Sequence, residues 1–326
     1  MRKVFAGLLV LASITPLYVQ AGPFGRNLGN REFGNRVFGA RATDAAPIEN
    51  MQRGSIIVDG QTRTYQYYIP TGGGKLPVVI MLHGGGGNSD NAIRMTHFNR
   101  LADKEKFIAV FPDGSGRQAD KLLTWNASHC CGYAMQNNVD DVKFISNLID
   151  VFINTQNADS KRIYVTGMSN GAMMTHKIGM NLSNKVAAIA TDVGTVFGDE
   201  PMAKGPLAVM MINGGLDENV PPAGGAPGGP GRRAWSVDTI PNTYAQSEYW
   251  AKNNHCTSPV KSSYNSMVDV TKYSCPSNYD VVHYLVKDNG HAWPGGRKGS
   301  GVGNGPSQSF DASEEIWKFF KAHPKQ

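Results

Sequence analysis

The sequence predicts an α/β fold, a mostly parallel central sheet with helices on both faces. Three observations carry this. Short β-rich runs alternate with helical patterns from residue 54 onward, the order expected of βαβ units. Residues 78–82 are an unbroken apolar run, as in a strand covered on both sides. The β-rich run 162–166 leads directly into Gly167-Met168-Ser169-Asn170-Gly171 and then a helical pattern.

Taken in order, residues 55–58 and 64–69 predict an antiparallel pair turning at Asp59-Gly60. The run 78–82 is the first central strand and ends in His83-Gly84-Gly85-Gly86-Gly87. A helix over 91–106, a strand over 107–111, a loop holding Cys130-Cys131 and a helix over 139–155 follow. Asp140 and Asp141 fall in the first turn of that last helix, where carboxylates suit the helix dipole. After the strand 162–166 and its helix to 182, strands are predicted over 187–190, 207–212 and 281–286. Ile316, Trp317, Phe319 and Phe320 give a closing helix over 312–321 an apolar face. No compositional break marks a second domain within 51–326.

The segment before residue 51 reads differently. Residues 1–21 carry Arg2-Lys3, an apolar run and a small-residue end, the pattern of a cleaved export signal. The competing reading, a membrane anchor, needs about 20 apolar residues, and Ser13, Thr15 and Pro16 break the run. Residues 22–50 are Gly-rich, with Arg26, Arg31, Arg36 and Arg41 against Glu32 alone. Much of the formal charge of +6 therefore sits outside the folded part. This extension reads as a disordered tether. Its second reading is a surface-binding arm in which Phe24, Phe33 and Phe38 add apolar contacts to the arginines. Export would put the four cysteines in an oxidising compartment. Cys256 and Cys275 flank a Ser, Thr and Asn-rich stretch that reads as a hairpin or loop, which makes them natural partners; Cys130 and Cys131 form either a disulfide between neighbours or two free thiols. No Cys or His spacing suits a structural zinc site.

A serine hydroxyl becomes a nucleophile only when a base takes its proton and a third group orients that base. Ser169 lies in G-x-S-x-G between a strand and a helix, the context that gives this short motif meaning. An acid and then a histidine should follow at later strand ends. Asp217, in Asn213-Gly214-Gly215-Leu216-Asp217, and His291, in Asn289-Gly290-His291, meet that order. Glu218 is the rival acid, while Asp192 and Asp199 come after an earlier strand. Attack on a carbonyl also needs donors for the oxyanion, and the backbone amides of Asn170 and Gly85 are the candidates. A phosphate cradle at Gly84 to Gly87 is excluded because no Gly-Lys-Ser or Gly-Lys-Thr follows. His83 is expected to hold its loop, and is a candidate at the substrate side of it. His176 is two helical turns beyond Ser169, too deep to act as base.

These segments together resemble the secreted polyhydroxybutyrate depolymerase and feruloyl esterase family. The resemblance runs from residue 55 to 324 and rests on Leu82-His83-Gly84-Gly85, Trp125-Asn126, Cys130-Cys131-Gly132, Val139-Asp140-Asp141-Val142, the run from Arg162 to Met173, and Gly290-His291-Ala292-Trp293-Pro294-Gly295-Gly296. It implies the α/β-hydrolase fold, a triad of Ser169, Asp217 and His291, and a Trp293 that lines the substrate cleft. The competing reading of Trp293 is a packing aromatic. Gly85 stands where many such depolymerases carry cysteine, and no polymer-binding domain is recognisable, which favours soluble esters, oligomers or acyl groups on a polysaccharide. The expected activity is a secreted, cofactor-free and metal-free serine carboxylic-ester hydrolase acting on polyester oligomers or related esters. A feruloyl or acetyl esterase is the alternative. Peptide hydrolysis and noncatalytic polymer binding are the remoter ones. The expected partner is an ester substrate, with no nucleic acid and no stable membrane insertion. Residues 221–233, rich in Gly and Pro, form either a substrate-selecting rim or a passive loop.

Overall fold

A ten-stranded sheet runs through the computed structural model in the order β1-β2-β4-β3-β5-β6-β7-β10-β9-β8. The structure describes residues 51–229, 231–299 and 303–325. The expected signal (1–21) and extension (22–50) lie outside the described residues. The strands are β1 (Gln52–Val58), β2 (Gln61–Tyr68), β3 (Leu76–Leu82), β4 (Ile108–Pro112), β5 (Ala158–Met168), β6 (Ala188–Asp192), β7 (Ala208–Gly214), β8 (Val260–Asn265), β9 (Val268–Tyr273) and β10 (Val281–Val286). From β4 through β3, β5, β6 and β7 to β10 every pairing is parallel. β1 and β2 extend one edge antiparallel, and β9 and β8 extend the other. The mostly parallel sheet expected from the alternation of elements is therefore the observed one.

The helices are α1 (Ser89–Thr96), α2 (Phe98–Glu105), α3 (Gly132–Gln136), α4 (Asp141–Thr155), α5 (Asn170–Leu182), α6 (Tyr244–Asn253) and α7 (Ala312–Ala322). Alternation along the central strands splits the core between the two faces. Val78, Ile80 and Leu82 meet Phe144, Leu148 and Phe152 of α4, Met174 and Ile178 of α5 and Trp250 of α6. Val79 and Met81 meet Met95 and Phe98 of α1 and α2 and Ile316, Trp317 and Phe320 of α7. Tyr164 of β5 stacks on Phe320 with ring centroids 4.7 Å apart, which fixes the last helix against the sheet. Capping carboxylates set helix starts: Asp140 accepts from Lys143 N–H at 2.9 Å, and Asp311 accepts from Glu314 N–H at 3.0 Å.

Two features depart from the sequence reading. The helix expected over 91–106 is two, because His97 takes a left-handed conformation with φ 54° and its N–H closes α1 on the Ile93 carbonyl. Asp141 is more than a helix-start charge. Its carboxylate is buried against Arg63 at 2.7 Å and accepts the Asn126 N–H at 2.8 Å. The stretch between Cys256 and Cys275, expected as a hairpin or loop, is the β8–β9 hairpin, whose first strand is largely exposed. Cys256 pairs with Cys275, and Cys130 pairs with Cys131. No described helix is long and apolar enough to cross a membrane.

Candidate active site

Ser169 occupies the turn between β5 and α5 at φ 55° and ψ −122°, a sparsely populated conformation for a residue with a side chain. The two motif glycines make that turn possible. A Cβ on Gly167 would collide with the carbonyl of Gly171, and one on Gly171 would collide with the carbonyls of Leu82 and His83. The Ser169 N–H is anchored by the Asp192 carbonyl at 2.9 Å, so the hydroxyl is presented at the carboxyl end of the parallel strands.

Loops after β7 and β10 deliver the two other groups. His291 Nε2 lies 2.8 Å from Ser169 Oγ, and His291 Nδ1 lies 2.8 Å from Asp217 Oδ2. Asp217 is buried, and its other oxygen accepts the N–H groups of Asn219 at 2.8 Å and Val220 at 2.9 Å. Those bonds leave one carboxylate oxygen to receive a proton-bearing Nδ1, which turns Nε2 toward the serine as an acceptor. Asn304 Oδ1 takes the His291 backbone N–H at 2.9 Å and fixes the loop.

The structure separates the rival acids from this line. Glu218 is exposed. Asp199 pairs with His129 at 2.8 Å. Asp192 is fully buried, with neither carboxylate oxygen bonded among the described residues. Burial, reinforced by the nearby Asp217 charge, pushes the Asp192 carboxyl well above its usual range. His176 is buried on α5, bonded to Gln246 at 2.9 Å and Trp250 at 3.0 Å.

Beside the serine, the backbone N–H groups of Gly85 and Asn170 have no acceptor among the described residues. A Cβ added to Gly85 would make ordinary contact with Asn170 Cβ at 3.5 Å, so the loop after β3 and the first turn of α5 face each other.

Two expected substrate contacts are corrected. Trp293 is 0% exposed; its Nε1–H donates to Ser313 Oγ at 3.0 Å and its ring meets Phe98 edge-on. It packs beneath the histidine loop and does not line a cleft. His83 is also 0% exposed. Its Nδ1–H donates to the Gly84 carbonyl at 2.8 Å and its Nε2 accepts the Gly114 N–H at 3.0 Å, the one tautomer that serves both partners. Burial holds this ring neutral, with a pKa of about 4. His83 ties two loops together and offers nothing to a substrate. The sequence reading missed the side-chain roles of Trp125 and Asn170, whose contacts span 45 residues of chain.

Fold and site together place the chain in the α/β-hydrolase class. Residues 63–220 match the family described as Esterase PHB depolymerase. A bifunctional acetylxylan esterase/xylanase of Neocallimastix patriciarum is 30% identical over 143 residues, 44% of this chain and 19% of the relative. Acetylxylan esterase A of Emericella nidulans is 30% identical over 127 residues, 38% of this chain and 40% of the relative. The matches span less than half the length of these curated relatives. Among solved structures, an acetyl xylan esterase from Aspergillus awamori superposes with a TM-score of 0.58 at 15% identity, covering 83% of this chain and 99% of that one. At that identity the likeness speaks for the fold.

Proposed function

We propose that this chain is a secreted serine carboxylic-ester hydrolase acting on polyester oligomers or related esters. The carrying observation is the continuous line from Ser169 Oγ through His291 to Asp217, each link 2.8 Å. In this reading His291 takes the Ser169 proton as Oγ attacks the ester carbonyl, and Asp217 stabilises the resulting imidazolium. The N–H groups of Gly85 and Asn170 receive the oxyanion. Collapse of the tetrahedral intermediate expels the alcohol with the proton from His291, leaving an acyl-Ser169. A water activated by the same histidine then releases the acid and restores the serine.

The acetylxylan and feruloyl esterases among the relatives support a second reading, removal of acyl groups from a plant polysaccharide. One experiment addresses both. Wild-type protein and Ser169→Ala are assayed on hydroxybutyrate oligomers, methyl ferulate, acetylated xylan and p-nitrophenyl butyrate. The expected result is turnover of at least one natural ester class by wild type, with a loss in the variant of about 10³-fold or more. Wild-type rates in a folded Ser169→Ala protein would refute the mechanism. The two disulfides support the export part of the proposal.

A further inference from the structure

Asn170 contributes a side chain as well as a backbone N–H. It is 1% exposed. Its Oδ1 accepts the Trp125 N–H at 2.7 Å, and its Nδ2 donates to the Trp125 carbonyl at 3.0 Å and lies 3.6 Å from Cys130 Sγ. The carboxamide therefore holds the Trp125 backbone by both of its hydrogen-bonding groups, locking the loop after β4 to the first turn of α5. Trp125, itself 0% exposed, continues the chain: its Nε1–H donates to the His83 carbonyl at 2.9 Å. His83 in turn bonds the Gly84 carbonyl and the Gly114 N–H. Buried hydrogen bonds thus run without a break from the loop that carries Gly85 to the residue after the nucleophile.

We propose that Asn170, Trp125 and His83 form a clasp that sets the spacing of the two oxyanion-binding N–H groups, with the Asn170 carboxamide as its joint. This rests on the ester-hydrolase reading and deepens it. The two donors come from separate loops, and each is useful only when it lies about 2.7–3.1 Å from the developing oxyanion. Backbone pairing of β3 with β5 ends at Leu82 and Gly167, and beyond it no backbone hydrogen bond joins the Gly85 loop to the first turn of α5 among the described residues. The polar atoms of the clasp are all engaged with protein. These are positioning residues, acting through the amides of Gly85 and Asn170.

The test compares Asn170→Ala and Trp125→Phe with wild type. Readouts are kcat and KM on p-nitrophenyl butyrate, the Kd of an alkylboronic acid that forms a tetrahedral adduct with a nucleophilic serine, and thermal melting. Asn170→Ala keeps its backbone N–H but loses the joint, so kcat is expected to fall about 10–100-fold, the scale of a misplacement near 1 Å. KM stays within about threefold, and boronate affinity falls by a factor matching the kcat loss, because donors aimed at the tetrahedral state act on both. Trp125→Phe removes one bond of the clasp and gives a smaller loss with the same parallel. A purely structural role would lower the melting temperature without this parallel. The proposal is overturned if a folded Asn170→Ala protein keeps kcat within about twofold, or loses kcat while binding boronate as wild type does. Should Asn170→Ala fail to fold, Trp125→Phe decides by the same two readings. Retained hydrolysis in Ser169→Ala would instead overturn the reading beneath the proposal, so the two failures are distinguishable.

Discussion

In the proposed mechanism the site has two halves built on opposite principles. On one side three side chains, Ser169, His291 and Asp217, come from the ends of separate strands and meet through short contacts. On the other side the N–H groups of Gly85 and Asn170, the proposed oxyanion donors, sit on loops joined through buried side chains. The first half concentrates its chemistry in exchangeable protons, so removing one group removes a step. The second half stores its function in placement, so its damage is graded and mixed with stability.

The sharpest break of that contrast is Asp217→Asn. The amide still receives a backbone N–H but neither carries charge nor enforces the tautomer of His291. A kcat loss of about 10⁴-fold is expected, with melting close to wild type, read from steady-state rates and thermal unfolding. A loss accompanied by unfolding would erase the distinction between the halves.

The reverse pattern is expected beneath the loop that holds Trp125. Arg63 and Asp141 are a buried pair at 2.7 Å, and Asp141 also holds the Asn126 N–H. Burial pushes the Asp141 carboxyl up, while Arg63 and that N–H draw it back. Asp141→Ala leaves the Arg63 charge buried without its partner, which costs about 3–5 kcal/mol. Urea unfolding measures this, and the surviving folded fraction should show a much smaller kcat loss than Asp217→Asn.

Asp192 gives the smallest effect and a pH signature. Its carboxyl is raised well above the unfolded value of 3.8, first by burial and then by Asp217. Between those two values the folded state holds a proton that the unfolded state has released. Stability therefore falls as pH rises through that window. Asp192→Asn cannot ionise and lacks this fall. Unfolding free energies measured at about pH 5 and pH 8 should diverge between the two proteins, with wild type losing more at the higher pH.

The relay half was legible because its constraints are local. Gly167 and Gly171 are demanded by carbonyls that would strike a Cβ, and such demands leave a motif in sequence. The parallel strands were legible because burial on both faces leaves unbroken apolar runs such as Val78 to Leu82. The divided helix at His97 was not, since Thr96-His97-Phe98 contains neither Gly nor Pro and the left-handed residue is held by contacts. The β8–β9 region was legible only as a hairpin or loop between two cysteines, because an exposed strand of Val, Lys, Ser, Tyr and Asn has no apolar alternation. Trp293 shows a further limit: an aromatic two residues from a functional histidine reads alike in a cleft and in a core. The clasp was illegible for a related reason, because an asparagine after the nucleophile says nothing about a tryptophan 45 residues earlier.

The most direct test of the central claim is covalent trapping. Wild-type protein and Ser169→Ala are treated with an alkyl p-nitrophenyl phosphonate, which a relay-activated serine attacks at phosphorus with loss of p-nitrophenolate, and are then analysed by intact and peptide mass spectrometry. The account predicts a single phosphonyl adduct on the peptide holding Ser169, loss of esterase activity in step with labelling, and no adduct on the variant. Labelling at another residue, or an unlabelled wild-type protein that still hydrolyses esters, would contradict it.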